Sequence, residues 1–159
     1  MDQRKLSRWL RCILAAAGVC GLIVYALVVP RYGLGLRQAY PEFANRFYPW
    51  LIFIWLSGAP CFAVLALGWR IAAGIGAGRA FTRQNARYLQ WISMLAAADA
   101  AFFFAGNLLL LLLDMSHPAV LLASLTVVFV GVAVAVGAAV LSHLAQKAAA
   151  LQEQSDLTI

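Results

Sequence analysis

Charge is what this sequence has least of. Only 11% of its 159 residues are ionisable Asp, Glu, Lys or Arg, against 64% hydrophobic. A soluble domain of this length has far too much surface for so few charged side chains, so the shortage excludes a water-soluble globule and implies lipid. Acidic groups are scarcer than basic ones, 6 against 12, leaving a net charge of +6. The basic residues flank apolar runs instead of forming one patch, which argues against direct nucleic-acid binding. Three cysteines make neither a disulfide framework nor a zinc site. Cys12 borders the first apolar run, and Cys20 and Cys61, inside runs, read as small buried hydrophobes. No Ser/His/Asp or Cys/His set converges on one side of the membrane, and His117 and His143 lack a second ligand at metal spacing. The expectation is a chain without enzymatic activity, cofactor or metal. Gly74, Gly76 and Gly78 follow a membrane helix, not a strand, and read as a flexible exit from it, not a phosphate loop.

What the sequence has in abundance is long apolar runs. Four are long enough to cross about 30 Å of hydrocarbon: roughly 12–30, 50–69, 88–113 and 119–141. With no water at that depth each must be helical. Trp9, Trp69, Tyr88 and Trp91 mark one interface, and Tyr32, Tyr48 and Trp50 the other. Lys and Arg fix the expected orientation. Arg4, Lys5, Arg8, Arg11, Arg70, Arg79, Arg83, Arg87 and Lys147 fall on one side, and Arg31, Arg37 and Arg46 on the other. That asymmetry puts both termini and the middle loop in the cytoplasm. The first run is too long, and lacks a small-residue cleavage pair, for a signal peptide. Between Pro30 and Pro49, Tyr40, Phe43, Phe47 and Tyr48 mix with Arg37, Glu42 and Arg46, the pattern of an interfacial segment. Residues 114–118 are so few that spans three and four must form an antiparallel hairpin. The fold class is therefore all-α, residues 1–159 forming a single four-transmembrane-helix bundle with a helical cytoplasmic tail over about 142–154.

Asp99 is the residue most at odds with its surroundings. Eleven residues from Tyr88 put it about 16 Å into the bilayer, where a carboxylate costs at least roughly 2.5 kcal/mol to insert. It must face the interior, and is expected to do so as the neutral acid. Pro60 lies at similar depth in span two and frees the carbonyl of Leu56, so Asp99 is expected to bond that carbonyl or the hydroxyl of Ser57. Such a contact serves either a proton-sensing site or a polar lock between two helices, the lock being preferred. Asn107 reads as interhelical glue. Small residues at close spacing, among them Gly131, Ala135 and Ala139, let helices approach, inside the bundle or in a homo-oligomer.

On the cytoplasmic side, Thr82 is placed to cap the third helix, which projects Arg83 and Arg87 together, four residues apart. Anionic headgroups or an acidic partner both suit that pair. After the fourth span, Leu141, Leu144, Ala145, Ala148 and Leu151 keep helical spacing beside Gln146, Lys147, Gln152 and Glu153, so the helix runs on.

Two stretches carry a resemblance. Gly78-Arg79-Ala80-Phe81-Thr82 with Asn85, and the closing Leu151-Gln152-Glu153-Gln154-Ser155-Asp156-Leu157-Thr158-Ile159, resemble hallmarks of the YoaS-like family of small four-span bacterial membrane proteins of unknown function. Ala80 stands where that pattern expects proline, and Ser155 where it expects asparagine. The resemblance implies the bacterial plasma membrane and a gene often beside that of a small helix-turn-helix regulator, with no established activity. It supplies an occupant for the cytoplasmic face, where Arg79, Phe81, Thr82, Arg83, Asn85, Arg87, Asp156, Leu157 and Thr158 become the expected docking residues. The expected function is a regulatory or sensor subunit that engages this regulator. The alternative is a small oligomeric transporter or channel working through Asp99, with Asn107, Ser57 and Pro60 around it.

Overall fold

The computed structural model describes residues 3–39, 41–116 and 118–156. Among them every regular element is helical. α1 (Gln3–Ile23), a π-helical turn (Val24–Val28) and α2 (Val29–Ala39) run on as one rod. A 3-10 turn (Pro41–Arg46) leads into α3 (Phe47–Gly76), followed by α4 (Arg83–Leu112) and α5 (Pro118–Asp156). Four rods of 37, 33, 30 and 38 residues are long and apolar enough to cross a membrane. At 1.5 Å per residue they reach about 45 to 57 Å, well beyond a hydrocarbon core of about 30 Å, so every rod projects from it.

Helix runs on past the expected span edge at Pro30 to Ala39, and the segment expected at the interface over 30–49 is mostly helical. Proline breaks a helix because it lacks an N–H and crowds the carbonyl one turn back. Here the helix widens before the proline: the N–H of Val29 reaches back five residues to the carbonyl of Val24. Widening leaves the Tyr25 carbonyl without a helical donor, since Val29 is committed elsewhere and Pro30 has no N–H. The indole Nε1 of Trp55, from α3, donates to that carbonyl at 3.0 Å.

Both mapped helix exits are closed by left-handed caps. At the end of α3, Arg79 N–H bonds Gly74 O and Gly78 N–H bonds Ile75 O, with Gly78 at φ 75°. At the end of α4, Met115 N–H bonds Leu110 O and Asp114 N–H bonds Leu111 O, with Asp114 at φ 52°. The glycine trio is therefore a fixed helix end, not the flexible exit its composition suggests. A Cβ on Gly74 would lie 2.9 Å from the Asn85 amide, and one on Gly76 would lie 2.6 Å from Ser7 Oγ.

The rods pack as an open row. α1 lies on α3, α3 on α4, and α4 on α5, while the first and last spans do not pack on each other among the described residues. α4 and α5 meet along a seam of small side chains, with Ser124, Ala135, Ala138, Ser142, Ala145 and Ala149 buried and Gly131 half-buried on α5. Ala139, expected in that stripe, is exposed and Ala138 takes its place. Steps of four drift about 40° on a 3.6-residue helix, so a straight seam alternates threes and fours. Gly131 is tight there: a Cβ would approach Ala100 Cβ to 3.1 Å. On the other side of α4, Phe53 of α3 stacks at 5.6 Å on Phe103, beside Phe102 and Gly106.

Candidate functional site

The end of the molecule that carries the 77–82 turn is tied together by polar bonds from every rod. Ser7 Oγ of α1 donates to the Ala72 carbonyl of α3 at 2.6 Å, and Ser142 Oγ of α5 donates to the Ala86 carbonyl of α4 at 2.8 Å. Thr82 caps α4, its Oγ1 accepting from the N–H of Asn85 at 3.2 Å. The buried Asn85 amide donates to the carbonyls of Arg79 and Ala80 at 2.9 and 3.0 Å, which pins the turn onto the helix it precedes. Held this way, the turn presents Arg79, the Phe81 ring and Arg83 outward, with Arg87 one helical turn on. Arg83 pairs with Glu153 near the end of α5 at 2.6 Å, so turn and tail form one surface. Asp156 ends α5, and Leu157 and Thr158 lie outside the described residues.

The second polar site sits inside the membrane between α3 and α4. Asp99 is half-buried there, and its described partner is Cys61, whose Sγ donates to Oδ2 at 3.7 Å. The expected contacts with Ser57 or the Leu56 carbonyl are not those formed. Ser57 Oγ turns to Ile54 O in its own helix at 2.9 Å, and Cys61, one residue past Pro60, has the register to face Asp99. Pro60 lies within a continuous α3. Oδ1 of Asp99 is buried without a partner. Asn107 is buried, but its amide donates to Phe103 O in its own helix at 2.8 Å, not across an interface. A buried amide without a partner in reach of its neighbours satisfies itself one turn back. Cys20 and Cys61 are exposed, not the buried hydrophobes expected of them, because a row of helices leaves most span surface outward. Tyr25, Trp55, Gly58 and Phe62 line a groove of about 360 Å³ between the first two spans, almost wholly apolar and ending short of Asp99.

Ser7, Cys61, Trp55 and Ser142 do work that composition did not single out. Trp55 had a legible signal: a carbonyl orphaned by Pro30 at membrane depth demands a donor, and indole is the donor an apolar span tolerates. The two serines had only their polarity on otherwise small-residue faces.

The family model described as protein of unknown function (DUF2975) matches residues 32–159. The chain belongs to that family. The turn, the Asp99 site and α5 lie within the DUF2975 match, and most of the first rod, up to Arg31, lies before it. The chain is also similar to YoaS of Bacillus subtilis (strain 168), an uncharacterized membrane protein, at 24% identity over 158 residues, 98% of this chain and 99% of that one. No solved structure matches. The four apolar rods, with a full-length relative named as a membrane protein, make this a multi-pass membrane protein.

Proposed function

We propose that this DUF2975 protein is a membrane-embedded regulatory subunit that docks a cytoplasmic helix-turn-helix regulator on its basic end. Phe81 carries the inference. Its ring is 60% exposed beside Arg79 and Arg83, yet sits on a turn whose backbone is held by Asn85, Thr82 and the cap at Gly78. A large apolar side chain on a rigid, cation-flanked turn beyond the hydrocarbon is the form of an interface anchor. The Arg83–Glu153 pair joins α5 to the same surface, which makes the tail the second element of the dock. Deleting residues 152–159 is expected to abolish co-purification of the neighbouring regulator from native membranes while insertion stays intact. Undiminished co-purification would sink the proposal.

A second reading rests on Asp99, whose buried Oδ1 has no partner. A protonatable group at that depth suits proton-coupled transport through an oligomer. Reconstituted vesicles with an internal pH dye would then show a proton flux that D99N removes, and vesicles tight to protons would end that reading.

A further inference from the structure

Where the start of α1 lies along the end of α3, the two helices border an open pocket of about 570 Å³. Its α1 wall is Arg4, Ser7, Arg8 and Arg11, spaced by three or four residues and hence on one face. Its α3 wall is almost bare of side chains. Gly76 allows Ser7 to close against it, and the buried Ser7 hydroxyl fixes the approach by bonding Ala72 O.

Three guanidinium groups on one helix face repel one another, and an anion bound between them relieves that repulsion. Among the described residues no carboxylate pairs with any of them; the ion pair of this end is Arg83 with Glu153. Nε of Arg11 is buried without a hydrogen-bond partner, while its guanidinium stands 5.8 Å from the centre of the Trp69 ring. Arg11 directly precedes the first apolar run, and Trp9, 68% exposed, turns outward on the same helix. Indole rings settle at the headgroup level, which sets the depth of the pocket.

We infer that this pocket binds a phosphate group, the Arg8 and Arg11 forks gripping its oxygens and Arg4 adding charge at the mouth. Planar guanidinium groups match phosphate in pairs of parallel N–H bonds, and basic pockets between membrane helices are sites for anionic headgroups. Neither the regulator dock nor the direction in which the chain lies in the membrane enters this inference.

The full chain in neutral detergent, titrated with phosphatidylglycerol, phosphatidylcholine or inorganic phosphate, tests it by native mass spectrometry and thermal unfolding. One saturable phosphatidylglycerol per chain is expected, with phosphatidylcholine bound far more weakly. R8Q/R11Q is expected to weaken that binding by about tenfold or more, whereas R31Q/R37Q, with equal charge lost at the opposite end, leaves it unchanged. Saturable binding of inorganic phosphate that displaces the lipid assigns a free phosphate compound as the source; lipid binding that phosphate does not displace assigns the headgroup. Wild-type protein that takes neither anion in preference to phosphatidylcholine overturns the site whatever the variants do, as does R8Q/R11Q binding with undiminished affinity.

Discussion

Trp55 illustrates how one side chain settles a backbone problem in lipid. A peptide carbonyl without a donor costs several kcal/mol in hydrocarbon, and the π turn before Pro30 leaves Tyr25 O in that position. The indole of Trp55 supplies the donor from the neighbouring helix at 3.0 Å, so the proline kink and the first helix contact are one device. Trp55→Phe keeps an aromatic ring and removes the N–H. It is expected to lower stability by about 1–3 kcal/mol, the cost of leaving the carbonyl unpaired, read as a reduced thermal midpoint in detergent with the helix content unchanged. Asp99 shows the converse, a polar group only half provided for. Cys61 offers a weak S–H donor to one oxygen and nothing described bonds the other. Asp99 stood out in the sequence because a charge amid twenty apolar residues is its own signal. Its partner did not, since Ser57 and Cys61 lie four residues apart on one helix, and choosing between them needs the rotation and register of α3 against α4.

Pairing of α4 with α5 depends on a seam with almost no side-chain volume. Close backbone approach without large residues gains dispersion contacts that lipid tails cannot match, and it fails when a bulky group enters. Two glycines of α5 separate these effects. Gly131 faces Ala100, whereas Gly137 has nothing within 4 Å of where a Cβ would stand. Gly131→Leu is expected to destabilise the hairpin by about 1–3 kcal/mol, and Gly137→Leu to be tolerated, by the same thermal midpoint and by steady-state level in membranes. The four spans themselves were plain in the sequence, because run length in lipid is dictated by bilayer thickness and little else. How far the helices run beyond them was not. Pro30, Arg31 and Arg37 look like a span edge, yet helix continues to Ala39, since a π turn absorbs the proline and arginine side chains remain helical outside the hydrocarbon. Thr82 at the cap of α4 was legible because capping is a local matter of three residues; the row of spans, left open between first and last, was not, because apolarity alone does not choose neighbours.

At the scale of the whole molecule, length and charge act together. Rods of 30 to 38 residues carry their ends into water on both sides, and the end with the 77–82 turn is bound to α1 and α5 by Ser7, Ser142 and Arg83. That end gathers nine of the twelve Lys and Arg residues, against three at the other. Cationic loops resist translocation, so the nine are expected to stay in the cytoplasm. Green fluorescent protein fused after Ser155 should then fluoresce, and alkaline phosphatase inserted at Ser116 should be active. Because the rule counts cations near the spans, converting Arg4, Lys5, Arg8 and Arg11 to Gln reduces the nine to five, and four further Lys beside Arg31 and Arg37 raise the three to seven. The combined variant is expected to show mixed or inverted reporter activity. Unchanged fluorescence in that variant would mean that something other than loop charge, such as the short turn after α4, dictates how the row enters the membrane.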